Sequence, residues 1–245
     1  MKKYICIMLP LITIFSMYVF AQSKKDVSIP SLNEAAPAFT AISTQGEVKY
    51  PNDFYNKWVI IFSHPADFTP VCTTEIWELA HHQDEFANLN TKLIVISTDG
   101  LNSHLEWIKS IESLEYKGMK PTKIKFPLIS DVNMSISKMY GMQHPYENST
   151  QNVRGIFIIS PKGYIQYIAF YPSYVGRNIN EIIRVLTALQ ESYVNDVLTP
   201  VNWQKGDDYL LLPPKSIEMS EKMKEKNDPN FYNYNWYMWF KKNNK

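Results

Sequence analysis

The residues of this chain best equipped for chemistry sit in one short run, His64-Pro65-Ala66-Asp67-Phe68-Thr69-Pro70-Val71-Cys72-Thr73-Thr74-Glu75. Cys72 is its only thiol. The other cysteine of the chain, Cys6, lies in an apolar N-terminal stretch that reads as a leader. Once that leader is removed no intrachain disulfide is possible, and a lone thiol in an oxidising compartment is either a small buried hydrophobe or a reactive group. The spacing favours the reactive reading. Cys72 falls in the first turn of an apparent helix, where unpaired backbone N–H groups and the positive end of the dipole favour an anion and hence a thiolate. A thiolate that attacks an oxygen–oxygen bond also needs the substrate aligned and donors for the departing oxygen. Thr69, three residues earlier, can place a hydroxyl beside the sulfur. Pro65 and Pro70 either stiffen the loop over it or serve as ordinary turn residues.

The positioning elements follow from hydrophobic periodicity. Trp58 to Phe62 is short, apolar and rich in β-branched residues, as a fully buried strand is. From Thr73 the period becomes helical, with Ile76, Leu79, Ala80, Phe86 and Leu89 on one face and Glu75, Glu78, Asp84 and Glu85 outside it. Cys72 thus follows the C-terminal end of a strand, where α/β sheets bind ligands. Leu93 to Ile96 predicts a second strand and Leu101 to Leu114 a second helix, carrying Leu105, Ile108, Ile111 and Leu114. Phe126 to Ile129 predicts another strand and Val132 to Tyr140 a short helix. Val153 to Ser160 and Tyr164 to Phe170 predict a hairpin turning at Pro161-Lys162-Gly163, and Ile179 to Val197 a long amphipathic helix. Alternating units, a hairpin and a closing helix describe an α/β fold, a mixed sheet with helices on both faces. Arg154 opens an apolar strand, where a cation either snorkels to water or serves a site. Arg177 either supports Arg154 or caps a helix start.

The motifs resemble those of the peroxiredoxin family, whose Pro-x-x-x-Thr-x-x-Cys signature is met by Pro65, Thr69 and Cys72. The one-Cys subfamily is suggested by Ser63-His64-Pro65 with Asp67 to Glu75, by Tyr171-Pro172 with Gly176-Arg177-Asn178, and by Thr199-Pro200-Val201-Asn202-Trp203 with Gly206-Asp207 and Leu212-Pro213. The resemblance runs from about Ala36 to Pro214. It implies a thioredoxin-like fold with a small C-terminal extension, and Cys72 as the peroxidatic cysteine oxidised to a sulfenic acid. Thr69 and Arg154 would bind the peroxide oxygens, Pro65 would shield the thiolate, and His64 would lie beside the pocket. The implied substrates are hydrogen peroxide and organic hydroperoxides. With one mature cysteine, an external thiol must resolve the sulfenic acid before it climbs to sulfinic acid. The resemblance further implies a homodimer and no cofactor. A Gly-Asp-Ser-Trp-Gly lipase segment found in some one-Cys members is replaced here by Tyr55-Asn56-Lys57-Trp58-Val59, so no phospholipase activity is expected by that route.

Length and charge fit this organisation. The 245 residues suit one main domain with an appendage: a signal peptide over 1–21, a core domain over 30–190 and an extension over 191–245. Lys2 and Lys3 precede an uncharged run to Phe20, and Ala21-Gln22 offers a cleavage point, so the chain is expected to be exported, to a periplasm or the exterior. An uncleaved membrane anchor is the alternative. With 25 basic and 24 acidic side chains the net charge is +1, and loss of Lys2 and Lys3 brings it to −1. Neither value provides the basic field that nucleic acid requires. His81, His82, His104 and His144 lack an arrangement specifying a metal site and read as solvated or core histidines. Competing functions are a redox sensor or chaperone-like binder using Cys72, a cysteine hydrolase using His64 and Cys72, and a thiol–disulfide exchanger. The hydrolase lacks a recognisable paired acid, and the exchanger lacks a neighbouring cysteine. The tail from Phe231 to Phe240 holds seven aromatics in ten residues and is expected to cover a surface or a partner subunit.

Overall fold

In the computed structural model, residues 29–243 are described except 145, 147–149 and 226–227. The expected leader and Cys6 lie outside the described residues. Seven strands form one mixed sheet: β1 (Phe39–Ser43), β2 (Gly46–Tyr50), β3 (Trp58–Ser63), β4 (Thr91–Ser97), β5 (Leu128–Ser130), β6 (Arg154–Ile159) and β7 (Ile165–Tyr171). Their order across the sheet is β2-β1-β5-β4-β3-β6-β7, with β5, β4 and β3 mutually parallel and the remaining pairs antiparallel.

All six residues of β3 are buried, because the strand is central and covered on both faces. Its alternation divides the interior. Ile60 and Phe62 join one hydrophobic cluster, and Val59 and Ile61 the other. The first cluster takes the inner faces of α1 (Pro70–Asn88), α2 (Leu101–Glu112) and α4 (Ile179–Asn195). The second takes Ile136 of α3 (Ser135–Met139), with Tyr140, Met142 and the β1–β2 hairpin. Helices on both faces were expected; the β1–β2 hairpin was not.

Three boundaries carry physical causes. Helix α1 begins at Pro70 rather than Thr73, because Pro at the first helical position has its φ preset and has no N–H to leave unpaired. Helix α3 begins only after Met134, which stands at φ 60. Helix α4 ends at Asn195 because Asp196 turns into the left-handed region at φ 51. Beyond it, β8 (Tyr209–Leu210), α5 (Ile217–Glu225), β9 (Phe231–Asn235) and β10 (Met238–Lys241) follow, and β8-β10-β9 make a second sheet. The aromatic tail is therefore a hairpin. It buries Trp239 and Phe240 and leaves Tyr234, Trp236 and Tyr237 exposed.

Candidate active site

Strand β3 ends at Ser63, the chain crosses a loop from His64 to Thr69, and α1 starts at Pro70, which makes Cys72 the third residue of that helix. Thr69 is extended at φ −99 and ψ 145, and its side chain does not cap the helix. Its hydroxyl instead donates to the Ala66 carbonyl at 2.9 Å. A hydroxyl whose proton is committed in this way meets further partners as an acceptor. Phe68, just before it, holds φ 55, an uncommon state for a bulky side chain that recurs where loops are shaped for function.

The Cys72 side chain is fully buried. Nη1 of Arg154, from the start of β6, donates to its sulfur at 3.2 Å and to Glu75 Oε2 at 2.8 Å. Nε of the same guanidinium donates to the Ser173 carbonyl at 3.0 Å, which ties it to the turn after β7. Glu75 lies one turn beyond Cys72 on α1. Its carboxylate also accepts from Arg177: Nε and the backbone N–H reach Oε1 at 2.9 and 2.8 Å, and Nη2 reaches Oε2 at 2.7 Å. Nη1 of Arg177 donates to the carbonyls of Ser63 and Gly155, at 3.0 and 2.8 Å, pinning the ends of β3 and β6 together. Burial alone would raise the Glu75 carboxyl, but the Arg177 charge and hydrogen bonds, with Arg154 beyond, hold it below the ordinary carboxylate range. Two guanidiniums and one carboxylate leave one positive charge uncompensated beside the sulfur.

The sequence reading placed Glu75 on the outer face of its helix; the structure corrects this. Glu75 is only 3% exposed, because both of its partners come from elements distant in sequence. Arg177 is in the supporting position rather than the capping one, since Asn178 caps α4 with its own side chain. His64 was expected beside the pocket. Its hydrogen bond runs to Asp67, from Nε2 to Oδ1 at 3.0 Å, and Asp67 Oδ2 meets His104 Nδ1 at 2.7 Å. His104 lies on the buried face of α2, whereas Leu105, assigned to that face from sequence, points outward. Burial lowers His64, and its bond to Asp67 only partly offsets this. Asp67, which burial alone would raise, is held far below its ordinary value by the two histidines. His64, Asp67 and Asp99 bring ligand-type atoms within 4.8 Å of one another, and hydrogen bonds inside the group account for that closeness. Pro65 is buried between His64 and the exposed loop tip. No sequence signal marked Glu75 or Asp67 as site residues beyond their place inside the motif.

Comparison with known proteins places the chain in a family. A profile of the AhpC/TSA family matches residues 32–168, and one for the C-terminal domain of 1-Cys peroxiredoxin matches residues 188–227. A peroxiredoxin of Methanosarcina mazei is 47% identical over 215 residues, covering 87% of this chain and 98% of its own. A yeast mitochondrial 1-Cys peroxiredoxin, studied for thiol resolution through glutathione and thioredoxin systems, superposes with a TM-score of 0.76 at 36% identity, covering 88% of this chain and all of its own. Peroxiredoxin 6 of Arenicola marina, in a cysteine-to-serine form, gives 0.77 at 30% identity, with 88% and 99% covered. These likenesses bear out the thioredoxin-like α/β fold.

Proposed function

This chain belongs to the peroxiredoxin family of thiol-dependent peroxidases, and we propose that it reduces hydrogen peroxide and small organic hydroperoxides by a one-cysteine cycle at Cys72. The observation that carries the reading is the Arg154 Nη1–Sγ contact of 3.2 Å inside a buried ion cluster with one positive charge in excess. An anionic sulfur is the charge that balances it. The thiolate attacks one peroxide oxygen, the O–O bond breaks, and the departing oxygen leaves with the electron pair and takes a proton to become water or an alcohol. Arg154, already donating along this line, stabilises the negative charge as it moves from sulfur to the leaving oxygen. Thr69 accepts from the peroxide O–H and so orients it, Pro65 shields the thiolate, and Arg177 and Glu75 hold the Arg154 fork in place.

The product is a sulfenic acid on Cys72. One external thiol attacks that sulfur and releases water; a second attacks the mixed disulfide and returns Cys72 to the thiol. The yeast relative's glutathione and thioredoxin systems suggest the chemical class of that donor. Export of the chain after cleavage between Ala21 and Gln22, and a homodimer formed along the outer edge of β7 beyond Ile165, complete the proposal. One equivalent of hydrogen peroxide followed by dimedone tests the cycle. The proposal requires a single adduct on Cys72, seen by peptide mass spectrometry; labelling elsewhere, or none with the fold intact, would overturn it.

A further inference from the structure

The peroxidase reading leaves one buried group unused. His104, Asp67 and His64 form a chain of hydrogen bonds under the site loop, and all three side chains are essentially without solvent contact. Counting donors and acceptors along it fixes where the protons are. His104 Nε2 lies 3.2 Å from the Ile129 carbonyl of β5, which can only accept, so Nε2 carries hydrogen. His104 Nδ1 lies 2.7 Å from Asp67 Oδ2, a line that also needs one proton. Asp67 receives a further proton line from His64 Nε2 at 3.0 Å, and its backbone N–H donates to Asp99 Oδ2 at 3.0 Å. Asp99 Oδ2 in turn accepts from Ser97 Oγ at 2.8 Å. Each carboxylate oxygen of Asp67 faces a ring nitrogen, the arrangement of an anion between two donors, so the proton on the short line belongs to His104. His64 then holds hydrogen on Nε2, and its Nδ1 is buried with no hydrogen-bond partner among the described residues.

We propose that His104 is a buried imidazolium, a positioning residue that neutralises Asp67 and thereby keeps His64 uncharged, with hydrogen on Nε2 and a bare lone pair on Nδ1. The charge of His104 is what matters here. A lone carboxylate 3.0 Å from His64 would draw a second proton onto that ring, whereas a carboxylate already paired to a cation does not. The groups facing this pair among the described residues are Asp67 from the loop, Ser97 at the end of β4, Asp99 just after it, the Ile129 carbonyl and the Trp107 ring 5.0 Å from His64. Only the two aspartates among these are anionic. The device fixes one tautomer at the C-terminal end of β3, the end from which the loop to Cys72 departs.

The protonation state stands apart from the peroxidase reading; its effect on rate rests on that reading. The test is nitrogen-15 NMR of the imidazole rings in the unmodified protein at neutral pH, assigned with His104→Asn. Two N–H nitrogens on His104, and one N–H with one lone-pair nitrogen on His64, are expected. A lone-pair nitrogen on His104 overturns the proposal. In the folded His104→Asn variant, whose amide still donates to Asp67 but carries no charge, His64 should become doubly protonated. Its reaction with hydrogen peroxide should then fall about tenfold from about pH 8 to about pH 6 beyond any change in the unmodified protein. A His64 that stays neutral in that variant also overturns the proposal. A protein inert to peroxide with both ring states as expected would defeat the peroxidase reading and leave this one standing.

Discussion

At the residue scale the site is an electrostatic balance that one substitution disturbs in a readable direction. Arg154→Met removes the donor 3.2 Å from Cys72 Sγ while keeping an unbranched side chain of similar length. Stopped-flow reaction with peroxide should slow by about 10²–10³-fold, the usual cost of one donor to a developing anion. Glu75→Gln leaves Arg154 and Arg177 without their shared carboxylate, so urea unfolding should show a loss of about 3–5 kcal/mol. Acid sensitivity follows from the same cluster and its neighbour. His64, Asp67 and Glu75 all lie below their ordinary values in the folded chain. Each therefore binds protons more readily when unfolded, so the stability it contributes is present above its unfolded value and lost as pH falls. The urea midpoint should begin to drop below about pH 6.5, where unfolded histidine protonates, and again below about pH 4.5 through the carboxylates. His64→Asn should remove the first drop and keep the second. A flat midpoint down to the carboxylate range would contradict the burial of a neutral His64. Cys72, Thr69 and Pro65 could be singled out from sequence because they share one local motif, and Arg154 because a cation opens an apolar strand there. Glu75 and His104 were not, since Glu75 meets its partners 79 and 102 residues away and His104 meets Asp67 37 residues away.

At the element scale the site depends on β3 and β6 meeting closely where Arg154 leaves the sheet. Ser63 Oγ donates to the Val153 carbonyl at 2.6 Å and accepts from the Gly155 N–H at 2.8 Å. A Cβ on Gly155 would stand 2.9 Å from Ser63 Oγ and 3.2 Å from the Phe170 ring. Gly155→Ala should therefore cost about 1–3 kcal/mol by overpacking. It should also slow the peroxide reaction, because Arg154 is the adjoining residue; an unchanged melting curve and rate would show that the close approach is unnecessary. The buried strands and long helices were readable because their patterns are strong. The β1–β2 hairpin escaped because it lies at the sheet edge and Thr40, Glu47 and Lys49 expose polar side chains between its few buried positions. The tail hairpin escaped because its asparagines and aromatics alternate without marking a register, and a bulge interrupts the pairing between Met238 and Trp239.

At the scale of the whole molecule, a sealed reactive centre is joined to an extension with its own small core. Ala188, Val197, Trp203 and Tyr209 form this third cluster, and Arg184 of α4 donates to the Trp203 carbonyl at 3.1 Å. Trp203→Ala should loosen residues 198–243 while β3 and β4 keep their protection, an outcome that hydrogen exchange resolves segment by segment. Uniform loss of protection would mean that the extension and the main sheet unfold as one unit. Cys72 is fully buried, and Arg154, its donor, is tied to the Ser173 carbonyl beside the exposed Tyr174. In the proposed cycle one thiol carries every step. Hydrogen peroxide consumption by residues 22–245 with excess dithiothreitol, beside the Cys72→Ser variant, tests it most directly. Many turnovers per protein are expected, and none in the variant. A correctly folded protein that consumes no more peroxide than its Cys72→Ser form would contradict it.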